Sequence, residues 1–193
     1  MIRIGGHRGA AGLFPENTLK GFVGALEMGV DYIECDIHLS RDGQVVVIHD
    51  DTVDRTTNGT GAVAGLDAEA LRRLDAGEGE PIPLFADVLD LLRGRDAGLF
   101  CEIKAESAMA PAVKMVREAG LVDTVTFICF EMPWLWTLHE EHPGIRLGPL
   151  FRFPLEERVE EALKMKPCNV GLYYRRLNLI LAGMIHDACA ELS

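Results

Sequence analysis

The feature that most constrains this chain is a repeated alternation of short β-type runs with helical runs, continuing without a compositional break. Arg3 to Gly6 reads as a first strand, and Asn17-Thr18 caps a helix over Leu19 to Met28. Asp31 to Leu39 has period-two character. Arg41-Asp42-Gly43 is a hairpin turn, returning through Gln44 to Ile48. Helical spacing follows over Asp67 to Leu74 and Leu84 to Leu92, then a strand at Gly98 to Ile103 and a helix within Pro111 to Ala119. The second half continues with strands at Thr124 to Phe130, Ile145 to Phe151 and Asn169 to Tyr173. Helices at Trp134 to His142, Leu155 to Met165 and Leu177 to Leu192 separate and follow them. Such β-then-α units predict a parallel sheet covered by helices, either an open doubly wound sheet or a closed (β/α)8 barrel. About six units are countable, with no internal repeat or low-complexity linker, so residues 1–193 read as one domain.

Ionisable residues recur at the C-terminal ends of these strands, which is where α/β barrels build active sites. His7 and Arg8 follow the first strand. Glu34 and Asp36 lie two apart on the second, so both leave the same side of it. His49 and Asp50 end the hairpin's return segment, and Glu102 and Lys104 are again two apart at a strand end. Glu34 with Asp36 alone would more often be a salt-bridge pair than a metal pair, by roughly three to one for so short a motif. The whole constellation shifts that balance, because the intervening Ile33, Cys35, Ile37, Cys101 and Ile103 are apolar packing residues. Three carboxylates without a soft ligand suit one divalent cation, Mg2+ or Ca2+, rather than zinc. Arg8 and Lys104 are the cations a phosphate requires, and His7 with His49 can serve as general acid and base. His38 reads as structural or peripheral. His139, His142 and His186 read as surface residues, and Glu156, Glu157, Glu160 and Glu161 as a solvated helix face.

Composition narrows the partners. The formal charge of −11 disfavours nucleic acid and anionic membrane surfaces. No run approaches the ~20 apolar residues of a membrane helix, and no signal peptide is visible at the N-terminus. The five cysteines are widely spaced without a C-x-x-C pair, which fits reduced cytoplasmic thiols.

The strings GGHRGAAGLFPENTLKGF, ECDIHLSRDGQVVVIHDDTVDRTTNGTG and CEIKAE, in this order and spacing, resemble the glycerophosphodiester phosphodiesterase family. The likeness is looser from Thr124 to about Ala188, and Cys129 stands where the family commonly has serine. The resemblance implies a TIM-type (β/α)8 barrel that hydrolyses glycerophosphodiesters to glycerol 3-phosphate and an alcohol with a divalent ion. It also implies His7 and His49 as catalytic histidines, and Arg8 and Lys104 as phosphate-binding residues. Glu34, Asp36 and Glu102 would be the metal ligands, with Asn17 supporting loop architecture. The chain ends where the family's seventh strand begins, so the last two β/α units are expected to be absent, and the alternatives for the open edge are a truncated chain, a missing segment or a homo-oligomer that covers it. Two rivals accompany this reading: a phospholipase C- or D-like enzyme on the same barrel, and a catalytically silent member that binds metal, a phosphate ligand or a partner chain.

Overall fold

The computed structural model describes residues 3–188 and 190–193. Two compact units divide the chain, one reaching Val125 and the other Thr126–Ser193. The first contains β1 (Gly5–Gly6), α1 (Leu19–Glu27), β2 (Tyr32–Leu39), β3 (Val45–Val47), α2 (Ala68–Arg72), α3 (Phe85–Leu92), β4 (Gly98–Ile103) and α4 (Met109–Ala119). β1 and β4 flank β2 in parallel, while β3 returns antiparallel to β2 through the hairpin at Arg41–Gly43.

Local chemistry explains these elements. Thr18 caps α1, its hydroxyl accepting from Gly21 N at 3.1 Å. Phe22 and Ala25, three apart, form the buried stripe of that helix. α4 ends on Gly120, whose φ of 69° closes the last turn. β2 is buried on both faces. Ile33, Cys35 and Ile37 are fully inaccessible on one side, while Glu34, Asp36 and His38 are buried on the other. Each fully buried isoleucine contributes roughly 1.5–3 kcal/mol. The charged side draws no such gain, and its burial requires partners.

The segment between β3 and α3 is long but anchored. Val53, Val63, Leu71 and Ile82 pack with Val46 and Ile48 in one apolar cluster. The loop that follows His49 is thus fixed from below by a core of its own.

The second unit completes β5 (Val125–Cys129), then α5 (Met132–Glu141), β6 (Arg146–Phe151), α6 (Glu156–Leu163), β7 (Asn169–Leu172), α7 (Leu179–Asp187) and β8 (Glu191–Leu192). β5 to β8 are parallel and paired in sequence order. Glu156, Glu157, Glu160 and Glu161 are exposed on α6, while Val159 and Ala162 face inward.

One expectation needs correction. The predicted helix over Leu177 to Leu192 begins at Leu179 and ends at Asp187. Glu191 and Leu192 instead pair with Asn169 and Val170, adding a seventh parallel strand to the six expected. Asn178 caps the helix by accepting from Leu181 N at 2.9 Å. The apolar run misled because a two-residue strand carries no period of its own. Cys189 lies outside the described residues. Among those described, no helix is long and apolar enough to cross a membrane.

Candidate active site

β1 delivers His7 and Arg8 to the site through a tight turn. Gly9 has φ 82°, and its N–H donates to Gly6 O at 3.1 Å and Glu34 O at 3.2 Å. A Cβ at Gly9 would stand 2.6 Å from the Gly21 backbone, so the close approach requires glycine. Arg8 is also left-handed, at φ 51°. Bonds on both sides hold it there: Arg8 N donates to Glu34 Oε2 at 2.7 Å, and Arg8 O accepts from Asn17 N at 3.0 Å.

β2 and β4 bring the acids together. In their parallel register Asp36 lies opposite Glu102, and Cys35 opposite Cys101. Glu34, Asp36 and Glu102 each present an oxygen to one point, these atoms lying within 4.8 Å of one another. Burial and the neighbouring Asp36 charge push the Glu34 carboxyl well above its usual range. Glu34 Oε1 and Asp36 Oδ1 are buried without a hydrogen-bond partner among the described residues. Buried carboxylate oxygens left this way, with like charges adjoining, are the donor set of a hard divalent cation. The residues therefore fit Mg2+ or Ca2+.

Cations and histidines surround the acids. Arg8 Nε is 3.4 Å from Asp36 Oδ2. Lys104 Nζ donates to Glu102 Oε1 at 2.8 Å and lies 3.8 Å from Asp36 Oδ1. It also lies 3.1 Å from His49 Nε2. An ammonium can only donate, so His49 Nε2 meets it with a lone pair. His49 Nδ1 lies 2.6 Å from Asp50 Oδ1, where it carries the proton. His7 Nε2 is 4.0 Å from Glu34 Oε2. Partial desolvation and then the Arg8 charge lower its pKa below 6.5. Its ring is 71% exposed, so this is a modest bias toward the neutral form.

All seven residues singled out from the sequence (His7, Arg8, Glu34, Asp36, His49, Glu102 and Lys104) thus meet around one point of the first unit. Others escaped that reading. Asn17, at φ 55° and buried, donates from Nδ2 to Asp36 Oδ2 at 2.8 Å, and its Oδ1 accepts from Asp36 N at 3.2 Å. It orients an acid directly, beyond the loop support expected of it. His38 Nε2 donates to His49 O at 3.2 Å, which makes the structural reading of His38 concrete. Glu16 and Arg55 carried no signal, being polar residues in loops without period. Arg55 joins Glu16 to Asp50, and Glu16 in turn accepts from Arg8 Nη1 at 2.9 Å.

Strands that alternate with helices and end in a carboxylate cluster flanked by Arg, Lys and His are the arrangement of a TIM-type α/β enzyme with a site suited to an anionic substrate. Comparison with known proteins agrees. Residues 7–175 match the glycerophosphoryl diester phosphodiesterase family. A glycerophosphodiester phosphodiesterase of Caldanaerobacter subterraneus is 35% identical over 180 residues, spanning 87% of this chain and 74% of that protein. The crystal structure of a glycerophosphodiester phosphodiesterase from Agrobacterium tumefaciens superimposes with a TM-score of 0.86 at 30% identity, covering 100% of this chain and 85% of its own. A phosphodiesterase from Oleispira antarctica, solved with the product sn-glycerol-3-phosphate, gives a TM-score of 0.91 at 25% identity over 100% of this chain and 83% of that one. The chain belongs to the glycerophosphoryl diester phosphodiesterase family.

Proposed function

We propose that the protein hydrolyses glycerophosphodiesters to sn-glycerol 3-phosphate and an alcohol, in the cytoplasm, with Glu34, Asp36 and Glu102 holding one divalent cation. The observation that carries this reading is the convergence of three carboxylates, two of them with unpartnered buried oxygens, beside Arg8 and Lys104. Burial and the Asp36 charge disfavour an ionised Glu34, and a dication held among the three carboxylates would relieve both before an anionic ester enters. The product bound by the Oleispira antarctica relative supports the substrate class.

When bound, the cation supplies Lewis acidity toward a phosphate oxygen. Arg8 binds the phosphate and is aimed by Glu16, which leaves the guanidinium little freedom. Lys104 brings a mobile point charge to the same group, opposing the negative charge that develops in the transition state. His49, with its proton on Nδ1, offers Nε2 as a proton acceptor. His7 faces the site from the β1 turn, where partial desolvation and the Arg8 charge lower its pKa. Between them, one histidine takes the proton of the attacking water or neighbouring substrate hydroxyl and the other gives one to the departing alkoxide.

The test is release of glycerol 3-phosphate from glycerophosphocholine with Mg2+, with Ca2+ and with chelator, beside Glu34→Ala and a parallel assay on intact phosphatidylcholine. Metal-dependent release that disappears in Glu34→Ala is expected. Exclusive turnover of the intact phospholipid would move the enzyme to the phospholipase-like reading. A folded chain that turns over neither substrate would make it a silent member.

A further inference from the structure

Arg55 lies in the loop after β3, away from the groups that meet the phosphate. Its guanidinium nevertheless makes two complete forks. Nε donates to Asp50 Oδ2 at 2.6 Å and Nη2 to Asp50 Oδ1 at 3.1 Å. Nη1 donates to Glu16 Oε2 at 3.0 Å and Nη2 to Glu16 Oε1 at 2.8 Å. Asp50 is itself bonded to His49 Nδ1, and Glu16 to Arg8 Nη1. Five side chains therefore run without a gap from the His49 ring to the Arg8 guanidinium, with Arg55 at the centre.

We propose that Arg55 is a positioning residue that fixes the tautomer and orientation of His49 through Asp50, and the aim of Arg8 through Glu16. The inference rests on reading His49 and Arg8 as working groups of the phosphodiesterase site.

The geometry favours this over an ordinary surface ion pair. Arg55 is 47% exposed, and exposed pairs add little to stability because solvent screens them and long side chains lose freedom. Two bidentate pairs on one guanidinium instead fix planes and angles, which a lysine ammonium cannot do. The loop beneath is held in place, since Val53 is fully buried in the apolar cluster and Thr57 N donates to Val53 O at 3.1 Å. Two charged groups face the His49 ring: Asp50 at Nδ1 and Lys104 at Nε2. The Arg55 fork holds the Asp50 carboxylate in place at Nδ1 and draws its pKa far below the usual range. An ionised Asp50 can only accept, so the proton stays on Nδ1 and Nε2 remains a lone pair toward the site. Without Arg55, Asp50 is free to swing away from Nδ1, and nothing then selects the tautomer. On the other branch, Glu16 loses two of its three guanidinium bonds and Arg8 loses its rigid support.

The two branches predict different kinetic effects. Loss of the Asp50 branch should lower kcat, and loss of the Glu16 branch should raise KM for a phosphodiester held by Arg8. The experiment compares Arg55→Gln, Asp50→Asn, the double variant and His49→Ala in the full chain, with glycerophosphocholine and Mg2+. Arg55→Gln should lower kcat by about tenfold or more, as small misalignments of a proton-transfer group do, with its thermal midpoint nearly unchanged. In the double variant kcat should stay within about twofold of Asp50→Asn alone, because both substitutions break one branch, while KM rises with Arg55→Gln in either background. The 15N resonances of His49 should move from a single Nδ1–H form toward a tautomer mixture in Arg55→Gln. Should Arg55→Gln not fold, Arg55→Lys keeps the charge without the forks and should still be several-fold slower. Wild-type kcat in a folded Arg55 variant while His49→Ala is inactive overturns the inference alone. Full multiplication of the Asp50→Asn and Arg55→Gln effects on kcat does so as well. Undiminished turnover in His49→Ala would overturn the reading of the site itself.

Discussion

Asn17 offers a sharp test of how this protein tolerates buried negative charge. The substitution Asn17→Ala removes the Nδ2 bond to Asp36 Oδ2 (2.8 Å) and the acceptor of Asp36 N–H (3.2 Å) in one step. A hydrogen bond to a charged group is worth about 1.5–3 kcal/mol and a neutral one about 1 kcal/mol. Alanine at the left-handed backbone of position 17, φ 55°, adds about 1 kcal/mol. Since the bonds share one partner they do not simply add, and a loss of about 3 kcal/mol is expected. That is a large part of the ~5–15 kcal/mol typical of a folded domain, so the variant should fold but unfold at markedly lower urea. Asn17→Gly removes the same bonds without the backbone penalty and should recover about 1 kcal/mol of the loss. Both variants should also bind Mg2+ or Ca2+ roughly ten- to hundredfold more weakly, as when the partner of a metal ligand is removed. The assay is urea unfolding with chelator present, followed by calorimetric cation titration. An Asn17→Ala protein within about 1 kcal/mol of wild type would refute the argument that this amide is what makes the burial of Asp36 tolerable.

Further outcomes follow from the same structure. Divalent cation should raise the thermal midpoint of the wild-type protein, and Glu34→Gln or Glu102→Gln should abolish most of that shift in scanning calorimetry. Asp50 and Glu16 have carboxyl pKa values below their ordinary ones, first because of Arg55. Stability from these pairs is therefore fully present above the unfolded carboxylate range and is lost as pH falls below about 4. Because Arg55 is 47% exposed the effect is small: thermal melts between pH 5 and 2.5 should show wild type losing only slightly more stability than Arg55→Gln, and less at high salt. Gly9→Ala, which would place a Cβ 2.6 Å from backbone at φ 82°, should be strongly destabilising in urea. Gly43→Ala, at φ 79° with open space around it, should cost only about 1 kcal/mol.

Most of the fold and of the carboxylate cluster was legible because both depend on period. Apolar Ile33, Cys35 and Ile37 alternating with Glu34, Asp36 and His38 announce a strand with two buried faces of opposite chemistry. The hairpin at Arg41–Gly43, the Thr18 cap and β4 at Gly98–Ile103 likewise rest on local rules. β8 was missed because two residues have no period, and their pairing is decided by the neighbouring strand at Asn169 and Val170. Glu16 and Arg55 were missed for a related reason. They come from loops 39 residues apart in sequence, and only the fold brings them within hydrogen-bond reach. Asn17 was visible as part of a motif, but its bonds to Asp36 depend on a left-handed backbone that composition does not reveal.

Residues 16 and 17 also show how one short segment can serve two opposed electrostatic needs. Asn17 is a neutral donor to Asp36, so it orients the carboxylate without adding a further positive charge to those of Arg8 and Lys104 already beside it. Glu16, its neighbour, is an anion where two arginines have to be kept apart yet aimed, because Arg8 and Arg55 share its carboxylate. Exchanging the two chemistries would fail at both places. Asn17→Asp would put a fourth carboxylate beside the three of the cluster and raise its need for cation. Glu16→Asn would leave the Arg8 guanidinium without its carboxylate support and resting against Asp36, a proposed cation ligand. The first change should therefore act mainly on cation dependence and the second on KM for the phosphodiester. Cation titration and steady-state kinetics on the two variants would separate them, and equal effects on both parameters would show that the segment acts as one undivided support.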